Sequence, residues 1–228
     1  MNKKLLLNIA LFIALLFHVS GVMGILFSPY KDWFIGNTLI NLLAMATLLI
    51  ITHPSKNKSF ILFFLITVVC GFAAEAIGVN TSLLFGNYSY GNVLGLKLFD
   101  VPIIIGINWF IIIYCTGMIT QTYEDYMLKK MQKQGIDLKN KLKAVSFIID
   151  AALLAVFFDW VMEPVAVKLG FWQWKSETIP LYNYVCWIII SGLLLAVFRK
   201  LNKGKHNIFA VHLLLIQLLF FLVLRTFL

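Results

Sequence analysis

The sequence predicts an all-α, polytopic transmembrane bundle of about seven spans, and three observations carry that prediction. Hydrophobic residues make up 61% of the 228 and charged residues only 13%, where a soluble domain holds roughly 25% charged. Mean hydropathy is +0.90. Seven stretches approach the about 20 apolar residues that cross a hydrocarbon core of about 30 Å: 5–27, 34–51, 60–79, 101–119, 144–161, 181–198 and 208–227. Backbone groups in lipid must be satisfied within the segment, and none of these stretches alternates like a barrel strand, so each is expected to be a helix.

The first stretch follows Lys3 and Lys4 as a signal peptide would. It is longer than a typical h-region and has no A-x-A site, so it is expected to be a retained helix. Seven spans then sort the cations. Only Lys31, Lys97, Lys168, Lys175 and Arg225 fall on the outer side, and the other 14 of the 19 fall on the side of the N-terminus. This is the positive-inside bias, with the N-terminus inside. The net charge of +9 therefore reports topology and contact with membrane lipid, and no nucleic-acid partner is expected. Cys70, Cys115 and Cys186 fall inside spans at unpaired spacing, which implies no disulfide framework. The stretch 121–143 reads as a polar, Lys-rich inner connector, too small for a domain, so the chain forms one integral membrane domain over 1–228.

The outer loops are aromatic and punctuated by Gly and Pro. One hairpin, 60–119, carries Glu75, Gly86-Asn87-Tyr88-Ser89-Tyr90, Pro102 and Trp109; the other, 144–198, carries Asp159, Glu163, Gly170-Phe171-Trp172-Gln173-Trp174, Pro180 and Trp187. In each, Pro is expected to open the returning helix, where its missing N–H costs nothing, and Trp follows seven residues later. The match suggests a parallel repeat about an axis along the membrane normal.

Ionisable groups inside spans cost about 2.5–3.5 kcal/mol each on insertion scales and mark candidate sites. At about 1.5 Å per residue, Glu75 lies about 6 Å inside the outer end of its span, and Asn41, Asn108 and Trp109 lie roughly 10 Å below that surface. Asp159 and Glu163, four residues apart, share a helix face, and His18 lies in the outer half of the first span. One polar layer thus collects from several helices, which points to a pocket walled by Tyr88, Tyr90, Trp109, Trp172, Trp174 and Trp187. Each residue also has a plainer role open to it. Asp159 and Glu163 suit capping or snorkelling, Glu75 among small neighbours suits a helix-to-helix hydrogen bond, and a lone His18 suits packing. Asp150 and His212, at matched depth near the inner face, suit a structural pair.

The four histidines are never two within a turn, so no metal is expected, and no Gly-rich phosphate cradle, nucleophile elbow or HExxH appears. Acid chemistry in an aromatic pocket remains. A carboxylic acid in an apolar site keeps its proton, can protonate an alkene, and indole faces stabilise the resulting cation. A second carboxylate can orient or deprotonate water.

The run from Asp159-Trp160-Val161-Met162-Glu163-Pro164-Val165 to Gly170-Phe171-Trp172-Gln173-Trp174 resembles the carotenoid 1,2-hydratase and bisanhydrobacterioruberin hydratase family. So does Glu75-Ala76-Ile77-Gly78-Val79-Asn80-Thr81 with Phe85-Gly86-Asn87-Tyr88-Ser89-Tyr90. The likeness covers roughly residues 70–190. It departs from the family pattern at Glu163, where Asp is expected, and around Ile179 and Asn183-Tyr184. The resemblance implies a cofactor-independent hydro-lyase in a bacterial or archaeal cytoplasmic membrane. Such an enzyme adds water to the terminal isopropylidene double bond of an acyclic carotenoid end. Glu75 is the expected proton donor, with Asp159 and Glu163 as the water-orienting or alternative acid pair; the sequence alone does not divide acid from base among the three. A carotenoid end-group cyclase, and a small proton-coupled transporter or lipid-binding protein, remain alternatives.

Overall fold

A computed structural model describes all residues except Met1, Asp137, Glu177 and Lys203. Its elements run α1 (Lys3–Phe27), α2 (Lys31–Gly36), α3 (Thr38–Thr52), α4 (Lys58–Thr81), β1 (Tyr88–Tyr90), β2 (Lys97–Leu98), β3 (Val101–Pro102), α5 (Ile104–Lys133), α6 (Asn140–Lys168), β4 (Trp172–Trp174), α7 (Leu181–Leu201) and α8 (Ile208–Phe227). Six of these helices, α1, α4, α5, α6, α7 and α8, are long and apolar enough to cross a membrane. The all-α bundle expected from hydropathy is therefore present.

Three of the helices that start on the Lys-rich side, α1, α4 and α8, are capped by Asn. Asn2, Asn57 and Asn207 accept from the backbone N–H groups of Lys4, Phe60 and Phe209 at 3.0, 3.1 and 3.2 Å, which satisfies donors that no helical carbonyl can reach. Helix α5 is the axis of the bundle, with 83% of its apolar window buried. It lies against α4 closely enough that a Cβ on Gly71 would come 2.5 Å from Trp109 Cβ.

Several expected boundaries shift. The second span, expected as one helix over 34–51, is broken at Asn37 into α2 and the 15-residue α3, which at about 1.5 Å per residue is too short to cross alone. The expected connector over 121–143 is mostly helix, because α5 runs on to Lys133 and α6 starts at Asn140. Its polar residues are good helix formers, and Arg199 clamps Glu124 there at 2.8 and 3.0 Å. Pro180 directly precedes α7 as expected, but Pro102 ends β3, two residues before α5 begins. Asp150 takes the Ser146 hydroxyl at 3.1 Å rather than pairing with His212, since Ser146 lies one turn away on the same helix.

Helix α6 continues past its expected end to Lys168 with Pro164 inside it. Proline lacks the N–H that would meet the carbonyl four residues back, which is that of Trp160. Arg225 Nη1 donates to this oxygen at 2.7 Å and lies over the Trp160 ring. The end of α8 thereby repairs the gap that Pro164 leaves.

At the other end, the two aromatic loops pair with each other. Strands β1 and β4 are antiparallel, with Tyr88 opposite Trp174, Ser89 opposite Gln173 and Tyr90 opposite Trp172. The hairpins α4–α5 and α6–α7 meet under this ribbon.

Candidate active site

Beneath the ribbon, four helices and two strands deliver polar groups to one buried place. Glu75 comes from α4, Asn108 and Trp109 from α5, Asp159 and Glu163 from α6, and Asn183 and Trp187 from α7. Period-two alternation in β1 and β4 sends Tyr88, Tyr90, Trp172 and Trp174 inward, and Ser89 and Gln173 outward. The three carboxylates are 6%, 0% and 3% exposed for Glu75, Asp159 and Glu163.

Their hydrogen bonding differs sharply. Glu75 Oε2 accepts the hydroxyls of Tyr88 at 2.5 Å and Tyr90 at 2.8 Å, and Oε1 accepts Trp109 Nε1–H at 2.9 Å. Glu163 Oε2 accepts the indole N–H groups of Trp172 at 3.0 Å and Trp174 at 3.1 Å. Asp159 Oδ2 accepts only the Asn183 amide at 2.9 Å, and its Oδ1 is buried without a partner. Burial first, then the charge of Glu75, pushes the Tyr88 and Tyr90 hydroxyls far above the usual phenol range, so both remain neutral donors.

The matched positions of the two hairpins explain the contrast. Glu75 binds both aromatics of its own loop, but the equivalent aromatics Trp172 and Trp174 turn to Glu163, one helical turn beyond Asp159. The position matching Glu163 in the first hairpin is Val79. Asp159 is therefore the carboxylate left open. Trp109 and Trp187, the matched tryptophans, stack at 4.1 Å and 12° and form an aromatic wall.

The cavity enclosed by these groups has a volume of ≈ 20 Å³, and about 10–15 Å³ suffices for one water. It is lined by Glu75, Tyr88, Tyr90, Asn108, Trp109, Asp159, Glu163, Trp172, Trp174 and Trp187, all read from sequence, and by Phe85, Ile105, Met162 and Asn183, which were not. Asn183 carried a signal, since it precedes Trp187 by one turn on the same face. His18 and Asn41 do not reach this cavity. His18 bonds Ala14 O at 2.7 Å and packs edge-on against Phe220 of α8, and Asn41 lines a separate recess with Trp33, Phe34 and Asn37. Depth along a helix does not tell which way a side chain faces around the bundle. Among the described residues, no group of three or more His, Cys, Asp or Glu is placed to hold a metal ion.

A family model described as "Carotenoid biosynthesis protein" matches residues 36–228, a span that holds every residue lining the cavity and leaves out α1. None of the curated proteins and none of the solved structures compared with the chain is similar to it.

Proposed function

The chain belongs to the carotenoid biosynthesis protein family, and we propose that it adds water to the terminal isopropylidene double bond of an acyclic carotenoid end, with Asp159 as the acid. The observation that carries this reading is the buried, unpartnered Oδ1 of Asp159. Indole N–H groups can only donate, so Glu75 and Glu163 sit among donors that suit anions. Asn183 Nδ2 likewise only donates, which occupies Oδ2 and leaves Oδ1 as the place for a carboxylic proton that faces the cavity. In this reading the donor geometry supports Asp159 as the proton donor rather than Glu75, the residue expected from the sequence.

In this mechanism the π pair of the terminal alkene takes the Oδ1 proton at the CH carbon, and a tertiary cation forms at the dimethyl carbon. The anionic Glu75 and Glu163 and the faces of Trp109 and Trp187 stabilise that cation. The oxygen of a water in the cavity bonds to it, and Glu163 takes the proton the water sheds. Passing that proton from Glu163 back to Asp159 restores both carboxyl groups, so the cycle adds one water and consumes no oxidant. A cavity of ≈ 20 Å³ lined by polar groups suits one water better than a polyene end folding into a ring, which favours hydration over cyclisation. The polyene end has to part the aromatic side chains to reach Asp159.

Expression in a host that accumulates an acyclic carotenoid tests the reading. Pigment should gain the mass of one water per reacted end, with or without oxygen in the culture. A product of unchanged mass with a new ring would indicate a cyclase, and unchanged pigment would contradict both.

A further inference from the structure

The cavity between α4, α5, α6 and α7 holds only ≈ 20 Å³, so a polyene end arriving from lipid needs a way in. Helix α5 closes one side, and with 83% of its apolar window buried it has little lipid behind it. Asn183 of α7 donates to Asp159 of α6 at 2.9 Å and ties those two helices together. Over the top, Gly91 N–H donates to Phe171 O at 2.9 Å and completes the ribbon of β1 and β4. The side that remains is the seam between the end of α4 and the start of α7, where the segment 82–86 leaves α4.

In that segment Phe85 holds φ at 64°, the left-handed region that a bulky residue rarely adopts. The other non-glycine residues with positive φ, among those described, have plain roles. Ser82 is the C-cap of α4, where a left-handed residue commonly ends a helix. Phe99 and Asp100, at 50° and 61°, make the two-residue turn between β2 and β3, where both central residues need positive φ. Phe85 caps no helix and turns no hairpin. Strain of this kind persists only where the surroundings enforce it, and it collects at clamps and switches.

Bonds across the seam enforce it here. Tyr182 Oη of α7 donates to Leu83 O at 2.9 Å and also lies beside the Cys186 thiol. Phe85 N–H donates to Cys186 Sγ at 3.2 Å, and sulfur is a weak acceptor, so the hold is light. The Phe85 ring is 2% exposed and fits where α4 has Gly78, since a Cβ there would come 2.9 Å from it. Its centroid lies 6.3 Å from that of Trp109 and 6.5 Å from that of Trp187, and it lines the catalytic cavity. On the other side of the seam, Leu83, Leu181 and Tyr182 are 68%, 78% and 49% exposed. Phe85 thus stands between an exposed apolar surface and the catalytic groups.

We propose that the polyene end enters from lipid through the seam between α4 and α7, with Phe85 as the side chain that closes the passage and Tyr182 as its latch. The proposal rests on the carotenoid reading above. When the latch opens, Phe85 relaxes to the negative φ that its side chain favours, and its ring leaves the wall. The exposed surface at Leu83 and Leu181 then runs on to the faces of Trp109 and Trp187.

The test follows opening and entry separately, in the full chain in detergent. Hydrogen exchange read by mass spectrometry reports opening at residues 82–86, and quenching of tryptophan emission by an acyclic carotenoid reports entry. Entry is measured in an Asp159→Asn background, where turnover is removed and the rate is that of entry alone. Tyr182→Phe deletes one hydrogen bond from an exposed side chain. It should raise both the exchange at 82–86 and the entry rate about fivefold, with thermal unfolding unchanged. In a Phe85→Ala background entry should be faster still and should no longer respond to Tyr182→Phe. Unchanged exchange in Tyr182→Phe, or raised exchange with unchanged entry, overturns the proposal. That pair of measurements decides the matter even if Phe85→Ala fails to fold. Entry that follows the latch, with no gain in pigment mass by the wild type, would support the passage and overturn hydration. A carotenoid that never quenches the tryptophans would overturn the carotenoid reading and the passage with it.

Discussion

Asp159→Asn should lose about 10²–10⁴-fold in carotenoid conversion, the range general acid–base groups typically contribute, while its folding is preserved. The amide is nearly isosteric, and its carbonyl can still accept from Asn183, whose amide lies 2.9 Å from Oδ2 in the native chain. The NH₂ then fills the place of Oδ1, which has no partner to lose. The substitution removes the transferable proton and little else. Glu75→Gln is the informative contrast. It sets an amide NH₂ among three groups that all donate to Glu75, from Tyr88, Tyr90 and Trp109. Leaving a buried donor unsatisfied costs about 1–3 kcal/mol. In Asp159→Asn the NH₂ replaces a carboxylic O–H that already faces the cavity. In Glu75→Gln it opposes groups that donate to it, so Glu75→Gln should lower the unfolding temperature more than Asp159→Asn. Turnover in detergent with an acyclic carotenoid, beside thermal unfolding, separates the two. Near-normal conversion by well-folded Asp159→Asn would remove it as the acid.

The second large effect is expected at Gly91→Ala. Gly91 N–H donates to Phe171 O at 2.9 Å, where the ribbon of β1 and β4 ends. A Cβ there would lie 2.1 Å from the backbone oxygen of Gly170, and a main-chain atom cannot rotate away. Overpacking costs roughly 1–3 kcal/mol where side chains can yield, occasionally more, so this clash falls at or beyond the upper end. The cheapest relief is to part the two strands, which draws Tyr88 and Tyr90 off Glu75 and Trp172 and Trp174 off Glu163. Conversion should then fall by at least about 10²-fold, as for loss of an acid–base group. Gly192→Ala, whose Cβ would meet only Ile148 at 3.7 Å, should keep both stability and activity. Wild-type conversion by Gly91→Ala would show that the ribbon does not hold the site together.

How much of this was legible before the fold was known follows from what each signal measures. Hydropathy reports how long an apolar stretch is, so the long helices α1 and α4–α8 were readable. It does not report a break such as the one at Asn37. Charge places a residue near an end but does not stop a helix, which is why α5 and α6 run on through Lys133 and from Asn140. Depth placed Glu75, Asp159 and Glu163 in one layer, and they do line one cavity. The same reasoning admitted His18 and Asn41, because depth carries no information on which neighbour a helix face meets. The likeness of the two aromatic loops was visible, but their pairing with each other is a tertiary fact. So is the meeting of Arg225 with the carbonyl that Pro164 leaves free. Asn183 was the avoidable omission, since Trp187 already marked its face of α7.

The most direct measurement is the fate of isotopes in the new alcohol. Purified protein and an acyclic carotenoid would be incubated without oxygen in heavy-oxygen water, and separately in deuterated water. Protonation by a carboxylic acid followed by capture of water places the heavy oxygen in the tertiary hydroxyl. It also leaves one non-exchangeable deuterium on the adjacent carbon. The absence of any alcohol in the incubation without oxygen, a hydroxyl that lacks the heavy oxygen, or a product with no deuterium at that carbon would contradict proton transfer from Asp159 as the first step.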